Sequence, residues 1–133
     1  MTLALALALL LWPLPDLSAP LHRAEIAAAI DAQEDPALWR AIWHVECTSK
    51  SPCGRSAAGA CCEMQVLGGR YGNPPCELLD ASAWLCVIAA DRQMERCRRM
   101  CGKAKAAPCY HDGHCNGNGD YARKVRGRKK GCN

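Results

Sequence analysis

The spacing of apolar and polar residues predicts two amphipathic helices near the start of the chain. In segment 21–33, Ile26 and Ile30 lie four residues apart in an alanine-rich background, which places both on one helical face. A second helix is expected to begin after Asp35, because this side chain can cap a helix and Pro36 suits the first helical position. Each helix should therefore contribute one face to a core.

The second predicted helix ends at Glu46 and carries two neighbouring stripes. The stripe expected to face the core consists of Leu38, Ile42 and Val45. Trp39, Trp43 and Glu46 follow the same i, i+4, i+7 spacing and form the adjacent stripe. The pattern therefore brings two indole rings toward one carboxylate.

Shorter apolar segments alternate with turn signals in the rest of the chain. Residues 64–71 predict a short strand and a turn, and residues 77–105 predict the longest helix. The apolar positions of that helix are Leu78, Ala81, Leu85, Ile88 and Ala89. The cysteine-bounded segment 107–119 is expected to be a loop, and residues 120–127 a final short helix capped by Asp120. The expected fold class is α+β, mainly α, with one short β-element.

The first twenty residues are expected to be a secretory signal peptide. Residues 3–12 are continuously apolar, which is long enough for the apolar region of a signal peptide and too short to span a bilayer. Small residues and prolines follow, although no Lys or Arg lies in residues 1–20. Residues 21–133 would then form one exported domain with no transmembrane segment.

The cysteines predict a disulfide framework in that domain. All 11 fall between Cys47 and Cys132, and the chain has no Phe, so its apolar core is expected to be thin. Disulfides in an oxidising compartment would stabilise such a domain by about 2–4 kcal/mol each. Because 11 is odd, at least one cysteine is expected to be free or bonded to another chain.

Positive charge is concentrated at the end of the chain. The net charge is +4, and residues 121–133 carry six Lys and Arg residues with no acid. On a secreted, extracellular protein this segment would attract anionic bacterial surfaces, while nucleic acid is not an expected partner. The alternative is a solvated C-terminal segment with no partner.

Glu46 is the residue with the clearest catalytic interpretation. A glycosidase needs a carboxylic acid that stays protonated near neutral pH, and burial beside aromatic rings raises the pKa of a carboxyl. The C-terminal end of a helix also favours the neutral acid. By composition alone, however, a single Glu at the end of a helix is usually a surface residue.

The motifs around Glu46 resemble the shared core of the lysozyme superfamily. The sequence "ALWRAIWHVE", followed by "GRSAAGACCEMQV", is similar to a helix that ends in the catalytic Glu and leads through a Gly-Ala-rich turn into a "Gly-Leu-Met-Gln-Val" strand. More specifically, the chain resembles the invertebrate-type, destabilase-like lysozymes. Their "Ile-Cys-x-x-Glu" is similar to "IWHVE", with Trp43 in place of the cysteine. Cys61, Gln65 and Val66 match their "Ser-Leu-Ser-Cys-Gly-Pro-Phe-Gln-Ile".

The resemblance extends over roughly residues 40–133. Cys76 and Cys86 stand ten residues apart, as in that family, and "CRRMC" supplies its Cys-x-x-x-Cys pair. The closing "YAR", with Cys132 eleven residues after Tyr121, resembles "Tyr-Ala-Arg-Ile-His-Asn-Gly-Gly-Pro-x-Gly-Cys". The order of these motifs along the chain is more specific for that family than any single motif is.

The resemblance implies a small, disulfide-stapled, lysozyme-like domain that cleaves peptidoglycan. Glu46 would be the general acid for the β-1,4 bond between N-acetylmuramic acid and N-acetylglucosamine, and Gln65 and Val66 would line the cleft for this N-acetylated glycan. The aromatic residues considered for sugar contacts are Trp43, Tyr71 and Tyr110. Tyr121 is assigned to the core, and no cofactor or metal is expected.

One departure from the family pattern affects the mechanism. The second acid of the family, an aspartate, would fall near Arg55, and no aspartate lies between Glu46 and Asp80. Glu63 is the nearest substitute, because in a strand it would share a face with Gln65. A separation of about 5–5.5 Å between the two carboxyls would imply retention of configuration at the anomeric carbon. A separation of about 6.5–9.5 Å would imply inversion. A single-Glu mechanism, as in the related lytic transglycosylases, stays open.

Parts of the sequence also fit other classes of protein. The main alternative is a catalytically silent, cationic, disulfide-rich protein that binds glycan or disrupts bacterial surfaces. The sequence "CYHDGHC" also suggests a secreted phospholipase, but the Cys-Cys doublet is too distant and "GGRYGN" is a poor calcium loop. His111 and His114 could bind zinc with Cys109 and Cys115, although these cysteines are more often paired in an oxidising compartment.

Overall fold

The structure, a computed structural model, describes residues 18–47, 53–117 and 119–131, and most of these residues are helical. The elements in chain order are α1 (Ser18–Asp31), α2 (Pro36–Cys47), β1 (Ala60–Cys61), β2 (Val66–Leu67), α3 (Cys76–Ala81), α4 (Ala83–Cys101), a 3-10 turn (Lys103–Lys105), α5 (Ala106–Asp112) and α6 (Asp120–Gly131). The prediction of a mainly helical α+β fold is confirmed. Residues 1–17 of the predicted signal peptide lie outside the described residues.

The N-terminal cap of α2 also holds α6. Asp35 accepts a hydrogen bond from the backbone N–H of Leu38 at 3.1 Å, as the sequence predicted for a cap. The other carboxylate oxygen of Asp35 accepts one from Lys129 Nζ at 2.9 Å, and this contact lowers the pKa of Asp35. Because Lys129 lies near the end of α6, the two helices run antiparallel, and the start of α6 lies beside the end of α2.

The core lies where the helices pack in pairs. α2 packs against α6, α1 against α4, and α4 against α5. The largest side chains that are fully buried are Ile26, Ile30, Trp39, Ile42, Met64, Leu79 and Met94. Ile26 and Ile30 confirm the predicted buried face of α1. In α2 the predicted core stripe is only partly correct, because Ile42 is buried whereas Leu38 and Val45 are partly exposed and Trp39 from the adjacent stripe is buried.

The β-element is a short antiparallel hairpin. Ala60 pairs with Leu67 and Cys61 with Val66, and residues 62–65 form the turn between them. The expectation that Glu63 and Gln65 share a face of a strand is therefore wrong, because the strand begins only at Val66. The turn has positive φ angles at both ends, 54° at Cys62 and 50° at Gln65, which no periodicity argument anticipates.

Within the residues that the structure describes, five disulfides tie the helices and the hairpin together, and the prediction of a disulfide framework is confirmed. The pairs are Cys47–Cys53, Cys61–Cys76, Cys62–Cys86, Cys97–Cys109 and Cys101–Cys115. Cys132, the eleventh cysteine, lies outside the described residues. The two bridges from the C-terminal half of α4 hold α5 and the turn after it.

The predicted helix over residues 77–105 is interrupted, and its apolar face is only partly buried. Ser82 is extended, with φ −128° and ψ 110°, and its side chain accepts a hydrogen bond from the N–H of Leu85, so it ends α3 and caps α4. Leu78, Leu85 and Ile88 are 52%, 37% and 45% exposed, because no described element covers this side of α3 and α4.

The segment predicted as a loop, residues 107–119, contains α5. The disulfide from Cys97 to Cys109 and a hydrogen bond from Gln93 Nε2 to the carbonyl of Tyr110, at 3.3 Å, hold this helix against α4. These tertiary contacts outweigh the turn-forming composition of the segment. α5 ends at Asp112, and the next residue, Gly113, has a φ of 80°, the left-handed conformation typical after a helix C-terminus.

The basic C-terminal segment is helical from Asp120 to Gly131, so the predicted helix over residues 120–127 extends four residues further. Most of its cationic side chains, including Arg123, Lys124, Arg126 and Arg128, are exposed. Within the described ranges, no helix combines the length and the apolar character needed to cross a bilayer.

Candidate active site

A cleft of about 500 Å³ opens beside the C-terminal end of α2. Residues from α2, the hairpin, the turn after it, α4 and α5 line this cleft. Of the site residues that the sequence predicted, four line it: Glu46, Gln65, Tyr71 and Tyr110. Trp43, Glu63 and Val66 are not among its lining residues. A concave site of this size with several polar groups is what a small-molecule or oligosaccharide site requires.

The carboxyl of Glu46 is partly buried at the end of α2 and faces the cleft. Burial raises the pKa of Glu46 because it penalises the ionised form, and this effect exceeds two opposing ones. Contact with the Tyr121 hydroxyl lowers the pKa, and so does positive charge on His111. The balance favours the neutral acid, which can donate a proton to a bound ligand.

Two tyrosines, rather than the expected indoles, provide the aromatic surroundings of the Glu46 carboxyl. Burial raises the pKa of the Tyr110 and Tyr121 hydroxyls, and negative charge on Glu46 raises both further. Trp39 is fully buried and packs edge-on against Tyr110, with ring centroids 6.0 Å apart. Trp43 is partly buried against the core. Tertiary packing therefore places Trp39 in the core and Trp43 against it, and neither residue lines the cleft.

The hydroxyls of the two tyrosines have different roles. Tyr110 donates a hydrogen bond of 2.7 Å to the carbonyl of Met64, which fixes the hairpin turn to α5. Tyr121 is 5% exposed, as expected of a core residue. Its buried hydroxyl contacts Glu46. The distance and angles of a regular hydrogen bond are not met with any group in the described chain. The Tyr121 hydroxyl is therefore the donor best placed to stabilise the Glu46 carboxylate after the acid loses its proton.

His111 and Asp112 form a second titratable pair in the same cleft. Nδ1 of His111 lies 2.7 Å from Oδ1 of Asp112, and its ring stacks on Tyr121 with centroids 4.5 Å apart. Because an ionised carboxylate only accepts hydrogen bonds, Nδ1 carries the proton, and Nε2 of a neutral His111 is free to accept one. The described residues supply no hydrogen-bond partner for Nε2.

The sequence predicted neither His111 nor Asp112 as a partner of Glu46. The only available signal was the order Tyr-His-Asp-Gly at a place where the chain turns. A Cβ at Gly117 would crowd the Asp112 carboxylate, so a larger residue there would require this side chain to move. The present position of Asp112 therefore depends on a close approach that the sequence pattern does not reveal.

Gln65 lines the cleft from the hairpin turn rather than from a strand. Its Nε2 donates to the carbonyl of Gly54 at 3.1 Å and to that of Cys62 at 3.0 Å. The amide nitrogen therefore holds the turn together and fixes the orientation of the side chain. Val66, the next residue, is fully buried and supports the turn from inside.

The structure places Glu63 away from the cleft. One of its carboxylate oxygens is bonded to Nε2 of His22 on α1, and the other is buried with no hydrogen-bond partner in the described chain. Glu63 also lies close to the sulfurs of Cys62 and Cys86. These sulfurs form a disulfide, so they are not available as thiolate metal ligands.

Arg55 stands where the family resemblance would put a second acid. Its guanidinium lies 3.4 Å from carboxylate oxygens of Glu77 and of Asp80, outside the lining of the cleft. Asp80 in turn accepts a hydrogen bond from the N–H of Cys62 at 2.9 Å. This network holds the hairpin to α3, and neither Glu77 nor Asp80 is among the residues that line the cleft.

Comparisons of the chain with known protein families, with curated proteins and with solved structures found no match.

Proposed function

We propose that this protein is a secreted glycosidase that cleaves the β-1,4 bond between N-acetylmuramic acid and N-acetylglucosamine in peptidoglycan, with Glu46 as general acid. One observation carries the proposal: a partly buried carboxyl with a raised pKa faces a cleft of about 500 Å³. The resemblance of the motifs around Glu46 to lysozymes supports the choice of peptidoglycan. Five disulfides fit export to an oxidising compartment.

In the proposed reaction, the neutral Glu46 carboxyl donates its proton to the glycosidic oxygen as the bond from that oxygen to the anomeric carbon breaks. The resulting carboxylate is held by the Tyr121 hydroxyl, which faces it. This contact favours proton release in the transition state, while burial raises the pKa of the acid before the reaction.

The His111–Asp112 pair would activate the water that completes hydrolysis. Water adds its oxygen to the anomeric carbon and gives a proton to Nε2 of His111, and Asp112 stabilises the imidazolium that forms. One proton leaves Glu46 for the departing sugar, and one passes from water to His111. Return of that proton from His111 to Glu46 through solvent restores both groups. This assignment supplies the second group that the sequence pattern lacks.

If His111 activates water, the products should end in reducing sugars rather than 1,6-anhydro sugars, and mass spectrometry of released fragments distinguishes the two. His111→Gln is expected to reduce the rate of hydrolysis by about a hundredfold or more, the usual contribution of a positioned base. His114→Gln is the matched control, because His114 lies outside the cleft lining. Products with only anhydro ends would contradict this role and favour a single-Glu transglycosylase.

The proposal is tested by release of soluble dye from dye-labelled peptidoglycan. An enzyme should release dye at both low and high salt, whereas binding through surface charge is lost at high salt. No release by the wild-type protein would contradict the proposal.

The alternative function is that of a catalytically silent cationic protein. The exposed basic face of α6 favours this alternative, because it would bind anionic bacterial envelopes without any chemistry. Lysis that persists after Glu46→Gln and disappears at high salt would support it.

A further inference from the structure

A second groove continues from the cleft along α4. It has a volume of about 340 Å³, and its walls come from α4 and from the turn after β2. Tyr71, Gln93 and Arg96 line both the groove and the Glu46 cleft, so the two spaces meet at these residues. A ligand seated in the cleft could therefore extend a branch into the groove.

Three arginines of α4 line this groove, which we call the arginine groove. Arg92, Arg96 and Arg99 follow the spacing i, i+4, i+7 and therefore lie on one face of the helix. Within the described ranges, none of the three forms an ion pair. By contrast, Arg40, Arg55 and Arg98 each contact a carboxylate.

The acids of the groove do not neutralise these arginines. Glu95 pairs with Arg98, with 3.6 Å between nitrogen and oxygen, and Asp91 is the other acid in the lining. Three guanidinium groups therefore face one carboxylate that is not engaged in an ion pair. The local excess of positive charge suits an anionic ligand.

Arg96 and Tyr71 define the junction of the two spaces. The guanidinium carbon of Arg96 lies 3.8 Å from the centroid of the Tyr71 ring, a cation–π contact that holds both side chains in place. The turn that carries Tyr71 is itself fixed, because Asn73 donates to the carbonyl of Leu67 at 3.0 Å. The junction therefore has an aromatic face for a sugar or peptide and a fixed cation.

From this geometry we infer that the arginine groove binds the carboxylates of a peptide attached to the glycan in the cleft. The inference rests on the proposed function, and it adds a substrate class: peptide-substituted strands should be preferred over bare ones. Guanidinium groups bind carboxylates through paired hydrogen bonds. Peptidoglycan sugars carry short acidic peptides, whereas chitin oligomers of the same length carry no charge.

The test is isothermal titration of Glu46→Gln with three ligands: a bare N-acetylated sugar oligomer, the same oligomer with an acidic peptide, and one whose peptide carboxylates are amidated. The acidic form should bind about tenfold more tightly than the other two. Arg92→Gln/Arg99→Gln should remove this advantage and leave the affinity for the bare oligomer unchanged. Arg126→Gln, an exposed arginine of α6, is the control and should retain the preference.

The other outcomes of this titration distinguish failure of the inference from failure of the proposed function. Equal binding of the three oligomers, or a preference that survives Arg92→Gln/Arg99→Gln, would overturn the inference and leave the proposed function standing. Equal binding of the acidic and amidated forms would show that the groove does not recognise charge, and this too would overturn it. If no oligomer binds, the proposed function fails and the inference fails with it.

Discussion

Glu46→Gln is expected to lower the rate of peptidoglycan cleavage by about 10²–10⁴-fold, the range for loss of a general acid. Glutamine keeps nearly the shape of the protonated side chain, but its amide cannot transfer a proton to the departing sugar oxygen. Because the cleft shape is retained, glycan binding should change little. Initial rates of dye release, measured at equal concentrations of folded protein, check the expected loss.

Glu63→Gln is the matched control for this loss, because it makes the same chemical change at a partly buried glutamate outside the cleft. Glu63 is bonded to His22, so the change should affect the contact between the hairpin and α1 rather than the reaction. We expect the Glu63 variant to retain the wild-type rate once it is folded. Equal losses in the two variants would indicate a structural effect and contradict the catalytic role of Glu46.

The second large effect is expected from Cys62→Ala/Cys86→Ala. This disulfide closes a separation of 24 residues between the hairpin turn and α4, and both cysteines are almost fully buried. Loss of such a cross-link lowers the free energy of unfolding by about 3 kcal/mol on chain-entropy grounds. The cavity left in the core adds to this loss. Thermal or denaturant unfolding of the oxidised proteins measures it.

Cys101→Ala/Cys115→Ala provides the comparison for that measurement. The disulfide that this variant lacks closes a separation of 14 residues in the wild-type protein, and the two cysteines are only partly buried there. Its removal should therefore cost less than removal of the bridge between Cys62 and Cys86. If the peripheral variant were the less stable of the two, the buried disulfide would not be the main link between the hairpin and the helices.

The parts of the fold that the sequence predicted are those determined by local interactions. Asp35 and Pro36 marked the start of α2 because a cap and a first-turn proline act within a few residues. The spacing of Ile26 and Ile30 likewise predicted the buried face of α1. By contrast, the break at Ser82 depends on one residue in an otherwise continuous helical pattern.

The candidate site depends on contacts between distant segments, so the sequence predicted only part of it. Glu46 could be proposed because it ends a helix and lies in a recognisable motif. The position of His111 depends on α5, which is fixed through the bridge from Cys97 to Cys109 and has a loop-like composition. Periodicity placed Trp39 beside Glu46 along the helix, but its ring turns to Tyr110 in the core.

The central claim is that the Glu46 carboxyl stays neutral at a pH where an exposed glutamate is ionised. Carbon-13 NMR of labelled glutamate side chains measures its pKa directly, and the resonance is assigned by its absence from Glu46→Gln. A midpoint above the ordinary value of 4.5 is predicted, because burial disfavours the charge. As the pH rises through that midpoint, the form of Glu46 that can donate a proton is lost, since the acid must be protonated to act. A midpoint at or below 4.5 would contradict the account.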